Sequence, residues 1–304
     1  MNTHHFSTHL KLFGMAALWG ASWPLGRVIA QSMPPLAAAS MRFLLATLVL
    51  LPWLLRSTRG NNVWRQWSPR RWLGMTIAAA AGVFGYSSFF MLGLQSVAAG
   101  KAALVVTLNP AATLLLAAWI FKEHLNRTIG IGMILAVIGA LTVLTKGAPW
   151  QLLQGGVGPG ELLLLGCVAC WVVYTLVGKA VLADVDALAA TTTTAILGAA
   201  MLCALSLSVE GPATWLAMFS SPWQSWACIA ALAFGSTAVA YAWYFEGVRA
   251  LGAGTAAGYI TLVPVFGVVF SSLGLGETID RSLLVGGLLA IGGMVVMHVG
   301  RAGR

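Results

Sequence analysis

Aromatic and hydroxyl side chains recur at helical spacing in two stretches of the chain. Trp19, Ser22 and Trp23 would share one face of a helix, and Trp171 and Tyr174 repeat this arrangement further along. Such side chains bind a solute by ring stacking, cation–π attraction and hydroxyl hydrogen bonds. The pattern therefore favours binding over bond-breaking chemistry. The alternative interpretation is a belt of rings at a membrane interface.

Two further stretches are dense in rings and hydroxyls. Residues 82–91 contain Tyr86 and Phe90, and residues 236–245 contain Tyr244. A tyrosine hydroxyl needs a partner in a dry interior, so these side chains should face a wet cavity or a neighbouring helix. Together the four stretches predict a lining that is both aromatic and polar.

The ionisable residues do not suggest catalysis. All eight Asp and Glu residues and all five histidines fall at predicted helix ends or in loops, whereas proton pumps usually carry such a group within the membrane. An intramembrane enzyme would need a cluster of such groups at depth. We expect no catalytic residue, and a driving force from the solute gradient or from an ion held by backbone carbonyls.

The four cysteines indicate neither a redox nor a metal centre. Cys167 and Cys170 have the spacing of a Cys-x-x-Cys pair, but no second pair or histidine cluster accompanies them. All four lie in or beside apolar runs, which is typical of packed thiols. We expect no cofactor and no metal.

The elements that position these side chains must lie in lipid. The chain is 59% hydrophobic and 8% charged, with a mean hydropathy of +0.86, whereas a soluble protein needs about a quarter charged residues. An all-α integral membrane protein is predicted, because apolar runs of about 20 residues have the length of a spanning helix. The ten predicted spans are residues 11–31, 34–55, 71–94, 99–121, 128–145, 160–181, 187–208, 225–247, 253–274 and 282–299.

Membrane topology explains the net charge of +9 better than nucleic acid binding does. Basic residues are spread along the predicted membrane edges, and most of them, including Arg56, Arg70 and Arg71, fall on the side of the N-terminus. That bias is typical of cytoplasmic loops. We expect a bacterial inner membrane protein with both termini in the cytoplasm and no nucleic acid partner.

One stretch of the chain occurs twice. Residues 93–139 align with residues 247–293 without a gap. Matched positions include Gly100 and Gly254, Pro110 and Pro264, and Glu123 and Glu277. Each half holds five predicted helices, an odd number, so the second half enters the membrane from the opposite side. We predict two inverted five-helix repeats, residues 1–150 and 151–304, around a central cavity.

Pro110 and Pro264 predict kinks in the fourth and ninth helices, and Pro24 predicts a break in the first. Proline removes one helical hydrogen bond and displaces the carbonyl four residues earlier. Broken helices at equivalent places in two halves point to a transport site, although a purely structural kink is the alternative. The polar residues beside the two repeated kinks are Thr107, Asn109, Tyr259 and Thr261.

Two features of the sequence allow more than one interpretation. Arg42 lies inside the second predicted span, where a charge is expensive, so it either extends toward the lipid headgroups or contacts an anion. Glycines in the fifth and tenth helices predict close packing, either within the bundle or between subunits. A homodimer through these two helices is one expectation.

The motifs resemble those of the EamA-type branch of the drug/metabolite transporter superfamily. The resemblance rests on ten helices in about 300 residues and on Trp19-Gly20-Ala21-Ser22, Arg42-Phe43, Pro110…Glu123 and Pro264…Glu277. The aromatic content of the first, third, sixth and eighth helices is also similar to that of bacterial aromatic amino acid and methyl viologen exporters.

This resemblance implies export of amino acids or related metabolites through a cavity between two halves. A broad exporter of drugs or quaternary cations is the alternative, and a scaffold or sensor without solute flux is a third. The lining residues that the resemblance selects are Trp19, Ser22, Trp23, Tyr86, Phe90, Thr107, Asn109, Trp171, Tyr174, Tyr244, Tyr259 and Thr261.

Overall fold

The chain folds as a bundle of helices. The computed structural model describes residues 3–57, 63–122, 125–148, 150, 157–182 and 184–302, and all regular elements in these ranges are helical. A short helix, Pro212–Met218, precedes the eighth long one. The long helices are α1 (Thr3–Ser32), α2 (Pro35–Arg56), α3 (Pro69–Ser96), α4 (Ala99–Phe121), α5 (Arg127–Leu144), α6 (Pro159–Val181), α7 (Ala187–Val209), α8 (Trp223–Leu251), α9 (Gly254–Leu275) and α10 (Arg281–Ala302).

Nine of the helices in the described ranges, α2 to α10, are long and apolar enough to span a membrane by length and composition. α1 has 30 residues, but Arg27 and several glycines make it less hydrophobic. Its Leu12 and Ile29 are fully buried, because α1 packs against α3, α4, α8 and α9. α1 is therefore a central helix. It continues through Pro24, so the break predicted there is wrong.

Helix contacts follow a pseudo-twofold pattern. α2 packs on α7 and α5 packs on α10, which are equivalent helices of the two predicted repeats. The contacts of α1 with α8 and α9 are matched by contacts of α6 with α3 and α4. This pairing is what two equivalent halves would produce. The division at residue 150 stays a prediction, because residues 151–156 lie outside the described ranges.

Two repeat-related helices are interrupted just before a proline. α4 loses regular geometry at Val106 and Thr107, and α9 loses it at Thr261 and Leu262. The Val106 carbonyl, which the sequence predicted to be displaced, accepts a hydrogen bond from the Asn109 N–H at 3.0 Å instead. The tighter turn thus gives these backbone groups hydrogen-bond partners, which lipid could not supply.

The other interrupted pair is α3 and α8, which carry π-helical segments at overlapping repeat positions. The segments are Ala80–Gly85 and Ala231–Val239, and no proline marks either of them. In α3 the wider turn leads directly into Tyr86, whose carbonyl accepts a hydrogen bond from the buried Cys167 thiol of α6 at 3.6 Å. π-helical turns are frequent at functional sites because they redirect side chains.

Glycines bring α5 and α10 into backbone contact. A methyl group added at Gly139 would lie 2.3 Å from the Ala290 nitrogen, and one at Gly293 would lie 2.5 Å from the Gly132 carbonyl oxygen. Gly286 meets the Gly139 carbonyl in the same way. This glycine seam lies within one chain. A homodimer through the outer faces of the two helices stays a prediction.

Gly139→Ala should destabilise the bundle by about 1–3 kcal/mol, because the new methyl group would meet backbone atoms that cannot move independently. Gly130→Ala is the matched control on the same helix, since nothing lies within 4 Å of its added carbon. The control should be neutral or stabilising, because alanine favours helix. Thermal unfolding of the purified protein in detergent measures both, and equal melting temperatures would contradict the seam.

Candidate functional site

Rings from α1, α3 and α6 form a continuous series near the middle of the bundle. Trp23 lies 5.2 Å from Phe90 between ring centroids, and Phe90 lies 6.3 Å from Tyr86 in a stacked arrangement. Tyr86 in turn lies 6.0 Å from Trp171, which lies 5.8 Å from Tyr174. The structure therefore brings together five of the predicted lining residues from three helices.

A second group of rings joins α1 to α8. The Trp19 ring lies 5.2 Å from Tyr241 and 5.6 Å from Tyr244, and its indole N–H donates to the Ser236 carbonyl at 3.0 Å. That carbonyl belongs to the π-helical segment of α8, so the irregular backbone fixes the orientation of the indole. Trp19 and Trp23 lie one turn apart on α1, which links the two groups.

We call the combined set the aromatic cluster. Six of its eight members are only partly buried. Phe90 and Trp23 are buried at its edge. The aromatic cluster consists of Trp19, Trp23, Tyr86, Phe90, Trp171, Tyr174, Tyr241 and Tyr244.

Hydroxyl groups connect α1 and α8 beside the cluster. The Ser22 hydroxyl lies 3.0 Å from the Ser236 hydroxyl, which donates to the Leu18 carbonyl at 2.9 Å. The Thr237 hydroxyl donates to the Leu232 carbonyl, five residues earlier, at 3.0 Å. These bonds hold the polar side of the site at the π-helical segment of α8.

A cation lies beside the aromatic cluster. Arg42 of α2 donates one long hydrogen bond, 3.4 Å, to the Thr237 hydroxyl, and its guanidinium lies 5.0 Å from the Phe43 ring centroid. α2 packs against both α3 and α8, the helices that carry Tyr86 and Tyr241. Thr237 lies at the middle of α8, so Arg42 points into the bundle, and the headgroup interpretation of this residue is wrong.

The remaining predicted residues make no ring contact with the aromatic cluster within the described chain. The Thr107 and Thr261 hydroxyls donate to the carbonyls of Leu104 and Gly258 at 2.6 and 2.7 Å, so both serve the helix breaks. The Tyr259 hydroxyl lies 2.8 Å from His9 Nδ1 near the start of α1. Asn109 is partly buried, and its Oδ1 has no hydrogen-bond partner among the described residues.

Sequence reasoning did not select Arg42, Tyr241, Ser236 or Thr237 as lining residues. Tyr241 lies three residues before Tyr244 and therefore on the same helical face, a signal that could have identified it. Ser236 and Thr237 are displaced by a π-helical segment that no motif marks. The depth of Arg42 was visible, but its direction was not.

Partly buried carboxylates lie at the end of the bundle opposite both chain termini, which we call the far end. Glu277, just after α9, accepts hydrogen bonds from the Ala99 and Gly100 N–H groups at 2.7 and 2.8 Å. Arg27 Nε lies 3.4 Å from the same carboxylate, and its guanidinium donates to the Leu94 carbonyl at 3.0 Å. The start of α4 is thus held by an acid from the other half. The repeat partner of Glu277, Glu123, lies outside the described residues.

The two ends of the bundle differ in burial. At the far end Lys101 and Glu161 are 2.7 Å apart with side chains 15% and 17% exposed. At the end that holds the termini, Lys11 and Glu246 are 2.6 Å apart but 34% and 40% exposed. The ion pair at the far end is therefore the less exposed of the two.

Many helices of spanning length around a group of rings, with ion pairs at both ends, have the architecture of a multi-pass membrane transporter. The sequence profile of the EamA-like transporter family matches residues 7–145 and 158–299. The chain belongs to the EamA-like transporter family, within the drug/metabolite transporter superfamily.

The similarity to related proteins extends over almost the whole chain. The uncharacterized transporter YyaM of Bacillus subtilis (strain 168) is 28% identical over 291 residues, which cover 96% of this chain and 93% of that protein. A probable amino-acid metabolite efflux pump of Salmonella typhimurium is 23% identical over 287 residues, covering 93% and 91%. A protein of known crystal structure has the same fold, with a TM-score of 0.67 at 24% identity, covering 98% of this chain and 99% of that one.

Glu277→Gln should lower the melting temperature more than Glu246→Gln does. The first change removes a charge that accepts two backbone hydrogen bonds and pairs with Arg27 in a buried place, which costs about 2–4 kcal/mol. The second weakens an ion pair that is partly exposed, worth below about 1 kcal/mol. Thermal unfolding in the same detergent compares the two, and a larger loss for Glu246→Gln would refute the difference between the ends.

Proposed function

We propose that this protein is an alternating-access exporter that moves amino acids, aromatic ones included, or related small metabolites out of the cytoplasm. The observation that carries the proposal is the aromatic cluster, which offers partly open rings beside hydroxyl groups. Rings of this kind bind the body of an organic solute, and the hydroxyls bind its polar groups. The driving force is the solute gradient or a coupling ion.

Alternating access is supported by the paired interruptions in the helices. α3 and α8 carry π-helical segments, and α4 and α9 are broken next to Pro110 and Pro264. Discontinuous helices in corresponding positions of two halves are typical of transporters whose halves move against each other around a fixed site. The deeper burial of the far-end ion pairs fits a state that opens toward the end holding the termini.

The direction of transport follows from the proposed topology. We place both termini in the cytoplasm of a bacterium, because most of the basic residues lie on that side of the predicted spans. The membrane is then the inner membrane, and the open end faces the solute to be exported. The relative from Salmonella typhimurium, whose name describes a probable amino-acid metabolite efflux pump, supports this choice of solute.

A quaternary-cation exporter, such as one for methyl viologen, is the second candidate. The observation that favours it is the number of rings in the aromatic cluster, since ring faces attract cations. Arg42 donates to Thr237 beside the aromatic cluster and would repel such a solute. We therefore place the amino acid first.

Trp19→Ala and Tyr174→Ala should each reduce export of labelled phenylalanine by about tenfold, because each removes a ring from the proposed site. Trp119→Ala is the matched control, since the Trp119 side chain is 79% exposed on the outside of α4. Rates are measured with purified protein in liposomes, alongside the melting temperature of each variant. Export at the wild-type rate in both site variants would remove these rings from the site.

A further inference from the structure

Arg42 has donors that its neighbours do not satisfy. A guanidinium has five N–H groups, yet Arg42 makes one long hydrogen bond, to Thr237, and its buried Nε has no partner among the described residues. Among the described residues, no carboxylate lies within ion-pair distance of the Arg42 guanidinium. A charge in the membrane interior normally pairs or faces a polar cavity.

Two tyrosines add donors on the helices that pack against α2. Tyr241 of α8 lies four residues after Thr237, the hydrogen-bond partner of Arg42, and Tyr86 lies on α3. Both tyrosines are partly buried, and within the described ranges neither hydroxyl has a hydrogen-bond partner. The buried Arg42 Nε needs a partner, and the two hydroxyls add donors from neighbouring helices, which suits an acceptor of negative charge.

The rings restrict which acceptor fits. Trp171 lies 6.0 Å from Tyr86, and Trp19 lies 5.2 Å from Tyr241, so aromatic faces flank the donors on both sides. A planar guanidinium matches a carboxylate with two parallel hydrogen bonds. The geometry points to a solute in which a carboxylate is attached to an apolar or aromatic body.

We propose that Arg42, assisted by the Tyr86 and Tyr241 hydroxyls, binds the carboxylate of the transported solute. The inference rests on the proposed function, because it names the group that the same site recognises. Amines that lack a carboxylate leave the Arg42 charge unpaired, and quaternary cations meet it directly. Both classes therefore bind weakly, and the site selects carboxylates rather than cations.

A ligand series on the wild-type protein tests the selection without any mutation. Phenylalanine, 3-phenylpropionate, phenethylamine and methyl viologen are compared by the rise in melting temperature that each produces, since a ligand of the native state stabilises it. We expect both carboxylates to bind about 10- to 100-fold more tightly than the amine. Equal binding of phenylalanine and phenethylamine, or tighter binding of methyl viologen, would overturn the proposal.

Three variants test whether Arg42 is responsible for the preference for carboxylates. Arg42→Gln should reduce binding of 3-phenylpropionate by about 10- to 100-fold and should remove the preference for phenylalanine over phenethylamine. Tyr241→Phe should reduce binding of 3-phenylpropionate by about fivefold without changing any charge. Lys11→Gln removes a positive charge at the terminal end, where Lys11 pairs with Glu246, and should leave the preference intact.

Binding and transport are read separately, so the two proposals fail in different ways. If liposomes with wild-type protein transport no solute while carboxylates still bind through Arg42, the exporter proposal fails and the assignment of Arg42 stands. If Arg42→Gln keeps the preference for carboxylates, the assignment of Arg42 fails whatever is transported. Should Arg42→Gln not fold, Arg42→Lys and the ligand series on the wild type still decide.

Discussion

The need to satisfy every backbone N–H and C=O inside lipid governs the rest of this structure. Regular helices meet it internally, so an interruption survives only where protein or a wet cavity supplies partners. α3, α4, α8 and α9 are all interrupted, and the Thr107 and Thr261 hydroxyls donate to carbonyls beside two of the breaks. At the far end, Glu277 accepts hydrogen bonds from the first N–H groups of α4, and Glu210 accepts them from the first N–H groups of α2. The aromatic cluster adjoins the π-helical segments of α3 and α8, so its rings and this backbone irregularity occupy the same part of the bundle.

The fold could be predicted from the sequence because lipid leaves few choices. Apolar runs of sufficient length must be helices, and nine of the ten predicted spans meet that criterion in the described chain. α1 does not meet the criterion for a spanning helix, because a central helix touches protein on most sides and can carry Arg27 and glycines. The interruptions near Pro110 and Pro264 followed from missing N–H groups. The π-helical segments could not be predicted from the sequence, because they arise from packing between helices and no residue type indicates them.

The candidate site was predictable only in part, for a geometric reason. Helical spacing grouped Trp19 with Trp23 and Trp171 with Tyr174, since residues on one face stay neighbours in any fold. Spacing cannot tell which faces meet across helices. The contact of Tyr259 with His9 and the hydrogen bond of Arg42 to Thr237 both join separate helices, so helical spacing could not predict either of them.

The glycine seam between α5 and α10 has a mechanical consequence. Two helices whose backbones touch at Gly132, Gly139, Gly286 and Gly293 cannot slide past each other without collision, since even one methyl group is too large for the gap. The pair therefore joins the first half of the chain to the second rigidly. Any movement of one half relative to the other would have to pivot about this contact.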